Sequence, residues 1–377
     1  MTHAIRPTVS AGLIESAIRA CPESAFAYGL ENRGRYRHTL QLFAGLGLGP
    51  APDILDAGVF PGHLAVCLRQ LLGARITGVG CRFPEGFRES MGSLGIAVVD
   101  VDLERELLPR PAASHDAVLA TEILEHLWSP AFFLGELLRV LRPGGSLVLS
   151  TPNLVDVRNR LRMLAGRSPQ QHLFGIGTVF RMNEWVHRRE YAPAETRAML
   201  EASGFTRVQV HTRTPTLSEG GRGLSALAAA AFNLMPGMGG TTYATAVKAP
   251  DARGPQIDRA MLSPAARDLA VARGTTATIR IGIRNIGTSA WVPGSTPGSV
   301  NLGAHLTDLD GRLLERDFCR VALAARVEPG EAIETILNLV APCEPGIYLV
   351  EADMVREGEH WFADDGSMPV RIALRVG

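Results

Sequence analysis

The sequence predicts an α/β domain built on a doubly wound, mostly parallel sheet, followed by an all-β sandwich. Three observations support this fold class. Apolar segments of strand length alternate with helical segments between residues 50 and 250, as in parallel sheets with crossover helices. An early strand ends in the glycine loop Asp56–Gly62, which leads into a helix. Beyond residue 262, apolar residues recur at every second position, as in antiparallel strands.

The α/β region can be followed element by element. Residues 9–48 have apolar side chains at helical spacing, and Pro50 and Pro52 end that pattern. Further elements are then predicted, with strands at 75–79, 96–99, 116–120 and 146–150 and helices at 84–94 and 131–141. A helix at 193–202 and strands at 206–210 and 241–247 complete the sheet, the last strand antiparallel and at the edge. Ligands of such sheets bind beyond the carboxyl ends of the strands.

Composition indicates the domain boundaries. We predict a helical segment at 1–48, an α/β domain at 49–250, a linker at 251–262 and the sandwich at 263–377. The α/β domain has insertions at 154–192 and 214–238, and residues 224–235 of the second are predicted to be a packed helix. The first insertion is rich in arginine. Its residues Arg158, Arg160 and Arg162 could clamp a phosphate, although a solvated helix face is the favoured interpretation.

Charge and cysteine content argue against several classes of protein. The 377 residues carry 38 basic and 38 acidic side chains, so no electrostatic attraction to nucleic acid is expected. The five cysteines are scattered without a C-x-x-C pair, which argues against a disulfide framework or a zinc site. The sequence shows no signal-peptide pattern and no apolar run of roughly 18 residues, so a cytoplasmic location is the default expectation. Lys248 is the only lysine, a bias typical of GC-rich bacterial genes.

The glycine loop narrows the class of ligand. Such a loop points backbone amides and a helix N-terminus at a bound group. A phosphate-binding P-loop requires lysine and then serine or threonine after its last glycine, whereas His63 and Leu64 follow Gly62. The dinucleotide fingerprint G-x-G-x-x-G requires a glycine where Phe60 stands. Neither of those two classes fits the loop.

A longer pattern lies downstream of the loop. Residues 115–127 are His-Asp-Ala-Val-Leu-Ala-Thr-Glu-Ile-Leu-Glu-His-Leu, and residues 139–145 are Arg-Val-Leu-Arg-Pro-Gly-Gly. Together with Asp56, Gly58 and Gly62, they resemble the ordered motifs of class I S-adenosylmethionine-dependent methyltransferases. The resemblance covers about residues 50–215 and implies a Rossmann-like methyltransferase fold with S-adenosylmethionine as cofactor.

The resemblance also implies roles for the loop residues. Gly58, Phe60 and Gly62 would bring the backbone close to the methionine carboxylate, whose charge the helix N-terminus stabilises. Phe60 departs from the family here, because it replaces the middle glycine of the motif. Asp56 would accept a hydrogen bond from the ammonium group of the cofactor.

Later strand ends supply the other cofactor contacts that the resemblance implies. Asp102 would bind the adenine amino group, and Leu103 would lie against the ring. Thr121 and Glu122 would line the methionine side near the sulfonium. The family usually carries an acid after the second strand to bind the ribose hydroxyls, but Gly80 stands there.

The candidate catalytic residues follow the fourth strand. Glu122, Glu125 and His126 have i, i+3 and i+4 spacing, which would place them on one helical face. In some relatives an E-x-x-E-H of this form binds a divalent cation with a further histidine, here His187 or alternatively His172. The metal is left unassigned, and the metal-free interpretation is favoured. A hydroxyl acceptor needs a base near neutral pH, so the predicted catalytic residues are His126, His187 and Glu122.

The last region has a resemblance of its own. The segment from Asn285 to Trp291 is similar to the N-x-G…W segment of immunoglobulin-like modules, which occur beside enzymes of bacterial surface glycans. The predicted function is methyl transfer from S-adenosylmethionine, O-directed, to a sugar, a glycan intermediate or a related small molecule. The alternative is a degenerate methyltransferase scaffold whose sandwich binds a glycan or a partner protein. Neither a nucleic-acid partner nor a transmembrane segment is expected, and the oligomeric state is left open.

Overall fold

The chain is organised as two compact units, Met1–Pro255 and Gln256–Gly377. The computed structural model describes residues 8–169, 187–214, 235, 237–250, 252 and 257–377. His172 and almost all of the predicted helix at 224–235 lie outside the described residues. None of the described helices is long and apolar enough to cross a membrane.

Within the described residues, the first unit is a seven-stranded sheet with helices on both faces. Its helices are α1 (Ala11–Ala20), α2 (Phe26–Gly45), α3 (His63–Leu72), α4 (Phe87–Ser93), α5 (Pro130–Val140), α6 (Val157–Leu164) and α7 (Pro193–Ala202). Its strands are β1 (Asp53–Ala57), β2 (Arg75–Gly80), β3 (Ala97–Asp100), β4 (His115–Thr121), β5 (Leu141–Pro152), β6 (Phe205–Arg213) and β7 (Thr241–Lys248). The predicted alternation of strands and helices is confirmed.

The strand order is β3-β2-β1-β4-β5-β7-β6. Strands β1 to β5 pair in parallel, and β7 is antiparallel to both of its neighbours, β5 and β6. The predicted edge position of the last strand is therefore wrong, because β6 forms the edge. Tyr243 and Ala244 are fully buried, as expected for an internal strand. The order changes direction between β1 and β4, and such a switch point opens a crevice at the carboxyl ends of the strands.

Side chains of the central strands alternate between two apolar cores. Ile54 and Val148 face a core shared with helices α1 to α4. Leu55 and Leu149, one position further along each strand, face a core shared with α5 and α7. We call these two sides of the sheet the α2 face and the α5 face. Residues at alternate positions of one strand can therefore be assigned to opposite faces.

The second unit consists of β-strands, as predicted. They are β8 (Ala260–Pro264), β9 (Asp268–Val271), β10 (Thr276–Asn285), β11 (Val300–Thr307), β12 (Leu313–Ala322), β13 (Ala332–Val340), β14 (Gly346–Arg356), β15 (His360–Trp361) and β16 (Val370–Val376). One sheet has the order β13-β10-β8, and the other has the order β12-β11-β14-β16-β9 with β15 paired to β14. The β16–β9 pair is parallel, unlike the wholly antiparallel arrangement expected. Strand β8 begins inside the segment interpreted as a linker.

The N-x-G…W segment closes one end of this core. The Asn285 amide donates to the Ser289 and Val327 carbonyls at 2.9 and 3.0 Å, and its oxygen accepts from the Gly287 amide at 2.9 Å. The Trp291 ring is fully buried. Asn285 and Gly287 therefore hold the shape of this turn, and Trp291 fills part of the core of the second unit.

Candidate functional site

The loop between β1 and α3 bends at two glycines. Gly58 and Gly62 have φ values of 85° and 94°, which residues with a side chain rarely adopt. The Gly58 amide donates to the Val79 carbonyl at 2.9 Å, which ties the loop to the end of β2. A Cβ on Gly62 would lie 2.5 Å from Met91 Sδ. The loop therefore requires both glycines that the sequence singles out.

Phe60, which stands at the family's middle glycine, packs sideways onto α4. Its ring contacts Phe87 edge-to-face with 5.3 Å between centroids, and Phe83 contacts the same ring at 5.1 Å. Phe60 is not the side chain nearest to Gly58, because a Cβ placed on Gly58 would lie closest to Ile123, at 3.3 Å. Phe60, the residue that replaces the middle glycine, is thus accommodated against the apolar core of the α2 face.

Asp56 is the acid near the carboxyl end of β1. Only 3% of its surface is exposed, and burial raises the pKa of its carboxyl to about 7. A cation beside this group would favour the ionised form. The position therefore suits an acceptor for the ammonium group of a ligand.

Asp102 and Leu103 lie in the turn after β3. Asp102 accepts from the Glu104 amide at 3.0 Å, and its other carboxyl oxygen is 3.9 Å from Arg105 Nε. Leu103 is buried in the core of the α5 face. Asp102 thus orders its own turn and is half-buried at the ligand edge of the sheet.

A different acid lies beside the strand end where an acid was expected. Asp100 is directly across from Gly80 in the register of β3 and β2. Its carboxylate forms an ion pair with Arg88 at 2.7 Å, and both side chains are largely exposed. Sequence reasoning gave Asp100 no role, because the register between neighbouring parallel strands has no local signal.

Glu122 turns toward α2. Its φ is 51°, and its carboxylate accepts from Arg35 Nη1 and Ser150 Oγ, both at 2.7 Å. The predicted helical face with Glu125 and His126 is wrong. Only a single 3-10 turn, Leu124–His126, forms here, and the left-handed backbone at Glu122 sends its side chain in another direction. Arg35 lies far upstream of every motif, so the sequence gave no signal for it.

Glu125, His126 and His187 lie close together, whereas Glu122, which the metal-binding alternative also included, is not part of the group. Their potential ligand atoms all lie within 4.8 Å of one another. Glu125 accepts from Thr151 Oγ1 at 2.9 Å, and the two imidazole rings meet edge-to-face at 5.0 Å. His187 Nδ1 is 2.9 Å from the carboxylate of the buried Glu190. A carboxylate-oriented histidine is a common arrangement for both a base and a metal ligand.

Strand β5 separates the two glutamates. Ser150 and Thr151 are consecutive, so their side chains point to the α2 face and the α5 face respectively. Because Ser150 contacts Glu122 and Thr151 contacts Glu125, the two carboxyl groups belong to opposite sides of the sheet edge. Burial, and then the charge of Glu122, raise the pKa of Glu125 well above its usual value.

The arginines of α6 are engaged within their own segment. Arg158 forms an ion pair with Asp156 at 2.7 Å. Arg160 Nε donates to the Val155 carbonyl at 2.7 Å, and Arg162 Nε donates to the Ser168 carbonyl at 3.1 Å. These local partners agree with the favoured interpretation of a solvated helix.

The central part of the chain is similar to known proteins. Residues 55–149 match the family model described as a methyltransferase domain. A probable S-adenosylmethionine-dependent methyltransferase of Mycolicibacterium smegmatis is 32% identical over 165 residues, which cover 41% of this chain and 51% of that protein. Residues 55–149 are therefore similar to methyltransferase domains, and the relative of this region is named for its dependence on S-adenosylmethionine.

A second curated protein and a solved structure are also similar to this chain. The ubiquinone biosynthesis O-methyltransferase of Methylocella silvestris is 38% identical over 102 residues, covering 26% of this chain and 40% of that protein. The crystal structure of a SAM-dependent methyltransferase from Archaeoglobus fulgidus is 16% identical with a TM-score of 0.41, covering 59% of this chain and 100% of that one. The chain thus spans about half the length, or less, of the two curated relatives described here.

Proposed function

We propose that the first unit transfers a methyl group from S-adenosylmethionine to a hydroxyl group of a sugar, a glycan intermediate or a related small molecule. The observation that carries this proposal is the buried Asp56 carboxyl beside the Gly58–Gly62 loop, next to the switch point of the sheet. A buried acid, loop amides and the N-terminus of α3 suit a ligand with one ammonium and one carboxylate. An O-directed reaction is also what the name of the Methylocella silvestris relative describes.

The residues around β4 and β5 would prepare the acceptor. When bound, S-adenosylmethionine supplies an activated methyl group on its sulfonium. The chain must hold the acceptor oxygen in line with that group and remove its proton. His187 suits this role, because an Nδ1–H donated to the Glu190 carboxylate leaves Nε2 to take the proton. Glu190 then stabilises the imidazolium that forms.

Calorimetry with S-adenosylhomocysteine tests the cofactor site. We expect saturable binding to the full chain and roughly tenfold weaker binding after Asp56→Asn or Asp102→Ala, since each removes a polar contact to the nucleoside. Glu15→Gln, at an exposed position of α1, is the matched control and should bind as the unmodified chain does. Absence of binding at millimolar S-adenosylhomocysteine would overturn the proposal.

A metal-dependent variant of this function is supported by the Glu125, His126 and His187 group. One carboxylate and two imidazoles within 4.8 Å fit Mg, Mn or Zn without singling one out. The raised pKa of the buried Glu125 also fits, because a bound cation would stabilise its ionised form. Such an ion would supply Lewis acidity, and Glu190 would orient His187 from behind. Glu122 would not take part, since Arg35 and Ser150 hold it.

Calorimetric titration of the full chain with Mn²⁺ and Zn²⁺ tests metal binding without an activity assay. Binding that is lost in Glu125→Gln and retained in the control Glu195→Gln would support it. A methylation rate that is unchanged by EDTA and by Glu125→Gln would exclude it.

We infer that the second unit is an immunoglobulin-like module that binds a glycan. The geometry of Asn285, Gly287 and Trp291 supports the first part, and only the association of such modules with glycan enzymes supports the second. The alternative is the degenerate scaffold, in which this module alone binds a ligand. A glycan array with the full chain, with and without S-adenosylhomocysteine, tests both. Glycan signal without any nucleoside binding would favour the alternative, and no signal would remove the glycan assignment.

A further inference from the structure

A group of polar side chains lies on the α2 face, in line with Glu122. Its members come from α2, β6 and β7: His38, His211, Arg213 and Tyr243. We call them the α2–β7 cluster. Thr121, Ser150, Tyr243 and His211 are successive cross-strand partners in β4, β5, β7 and β6. Their side chains therefore share one face, and the cluster continues the row that begins beside the cofactor loop.

The contacts of His38 fix its protonation. Arg213 Nη1 donates to His38 Nδ1 at 2.9 Å, so that nitrogen is an acceptor. His38 Nε2 then carries the hydrogen and donates to His211 Nε2 at 2.7 Å. Burial, Arg213 and His211 lower the pKa of His38 to about 4. His38 is therefore neutral near pH 7, and Arg213 is the charged member of the pair.

Two groups in the cluster lack a suitable partner among the described residues. Arg213 contacts an imidazole nitrogen, and no described carboxylate lies within ion-pair distance of it. The Tyr243 hydroxyl is fully buried, and neither the Thr241 side chain near it nor any other group in the described parts of the chain makes a hydrogen bond of good geometry with it. The His38 ring meets the Tyr243 ring edge-on at 4.5 Å, which brings these groups together. An unpaired buried hydroxyl costs about 1–3 kcal/mol, which a bound acceptor group would recover.

We propose that the α2–β7 cluster anchors an oxyanion, a carboxylate or a phosphate, of the acceptor molecule. This inference rests on the proposed methyl transfer and names the acceptor class. Arg213 supplies the positive charge, and Tyr243 donates its hydroxyl hydrogen. The acceptor hydroxyl would then lie toward Thr121 and the cofactor loop. His211, exposed on the edge strand β6, marks the side from which the anion enters.

The charges distinguish an oxyanion from other groups. A neutral hydroxyl or a water molecule could pair with Tyr243 but would leave the guanidinium charge of Arg213 uncompensated. An ammonium group would be repelled by Arg213. Arg35, the other guanidinium on this face, is already neutralised by Glu122 at 2.7 Å, so among the described residues the uncompensated charge lies at the β6 side.

Calorimetric titration of the full chain, saturated with S-adenosylhomocysteine, tests the inference with three probes: inorganic phosphate, benzoate and the neutral isostere benzamide. We expect saturable binding of at least one anion at millimolar concentration and none of benzamide. Phosphate alone would identify a phosphorylated acceptor, and benzoate alone a carboxylate. Arg213→Met should weaken anion binding roughly tenfold or more, as expected for a hydrogen bond to a charged group.

Two further variants separate binding from folding. Tyr243→Phe should weaken anion binding several-fold while the thermal stability of the free chain stays the same or rises, because the hydroxyl it removes is unpaired. Arg207→Met, at an exposed position of the same strand, should behave as the unmodified chain. Equal binding of benzoate and benzamide, no anion binding, or an unchanged affinity in Arg213→Met would overturn the inference. Failure of S-adenosylhomocysteine to bind in the loading step would instead count against the proposed function.

Discussion

At the scale of single residues, the surroundings of an acid, both its burial and its hydrogen-bond partners, decide its charge state more than its residue type does. Asp53 and Asp56 lie three positions apart on β1. The hydrogen bond from Arg75, with a second from Arg142, lowers the pKa of Asp53 to about 2 despite some burial. Asp56 is buried, and the pKa of its carboxyl rises to about 7. One strand therefore carries an acid that stabilises the fold and an acid that is costly to ionise until a cation arrives.

Replacing Asp56 by asparagine should stabilise the free protein while it weakens nucleoside binding. The pKa of Asp56 is 3.8 in the unfolded chain and about 7 in the folded one, so the folded state loses stability as the pH rises from 4 to 7. Asp56→Asn removes that loss, and its advantage should reach on the order of 4 kcal/mol at pH 8 and be smaller at pH 5. Urea unfolding at both pH values measures it.

Asp53→Asn is the matched control on the same strand. Its folded pKa is depressed, so its contribution is fully present at pH 5 and at pH 8 and is lost only toward pH 2. The variant should be destabilised equally at both pH values. An Asp56→Asn advantage that does not grow with pH would contradict the burial argument.

His187 is predicted to act as the base in methyl transfer. His187→Gln should lower kcat by about 10²–10³-fold, because proton removal from a hydroxyl loses its acceptor. Glu190→Gln should lower kcat less, by roughly tenfold, because it removes only orientation and stabilisation of the imidazolium. Both are measured with labelled S-adenosylmethionine once an acceptor is found. His305→Gln, in the second unit, should leave kcat unchanged, and a similar kcat in His187→Gln would remove the assignment.

At the scale of elements, local requirements were predictable and non-local ones were not. The loop at Gly58 and Gly62 was predictable, because glycine is the residue that readily adopts the positive φ values such a loop needs. The helical face assigned to Glu122 failed because a left-handed residue and a single 3-10 turn leave no trace in residue spacing. Arg35 and Tyr243 were not predicted, since they reach the site only through the packing of α2 and the insertion of β7 between β5 and β6.

Gly62→Ala should disrupt the start of α3. The substitution combines a φ of 94° with a Cβ placed 2.5 Å from Met91 Sδ. We expect a loss of roughly 2–4 kcal/mol in the free energy of unfolding, together with loss of nucleoside binding. Gly73→Ala, at the other end of the same helix, has a φ of 63° and no atom within 4 Å of the new Cβ. It should cost only about 1 kcal/mol, and equal losses in the two variants would show that the Met91 contact is unimportant.

At the scale of the whole molecule, the chain has separate apolar cores in its two units. The second core includes Trp291 and Phe362. Asp258, the third residue of the second unit, is buried and pairs with Arg356 Nη2 at 2.6 Å. Sequence composition indicated a change of domain near this point, but it could not show that the pairing begins before β8.

Two calorimetric transitions are therefore expected on heating. S-adenosylhomocysteine should raise the midpoint of only one, because a ligand stabilises the unit whose native state binds it. Trp291→Ala should lower the other midpoint, since it opens a cavity in the second core, at a cost of about 3–5 kcal/mol. Differential scanning calorimetry of both chains measures these shifts. A single transition that moves as a whole in either experiment would show that the units unfold together.

The pairing of Ser150 with Glu122 and of Thr151 with Glu125 has a practical consequence for engineering. Neighbouring hydroxyls on one strand hold acids on opposite sides of the sheet edge, and the two acids are linked electrostatically, because the charge of Glu122 contributes to the raised pKa of Glu125. Exchanging Ser150 would therefore alter the surroundings of Glu122 and, through its charge, the protonation of Glu125 beside the two histidines. Shifting β5 by one residue would move both hydroxyls to the opposite faces at once and break both contacts.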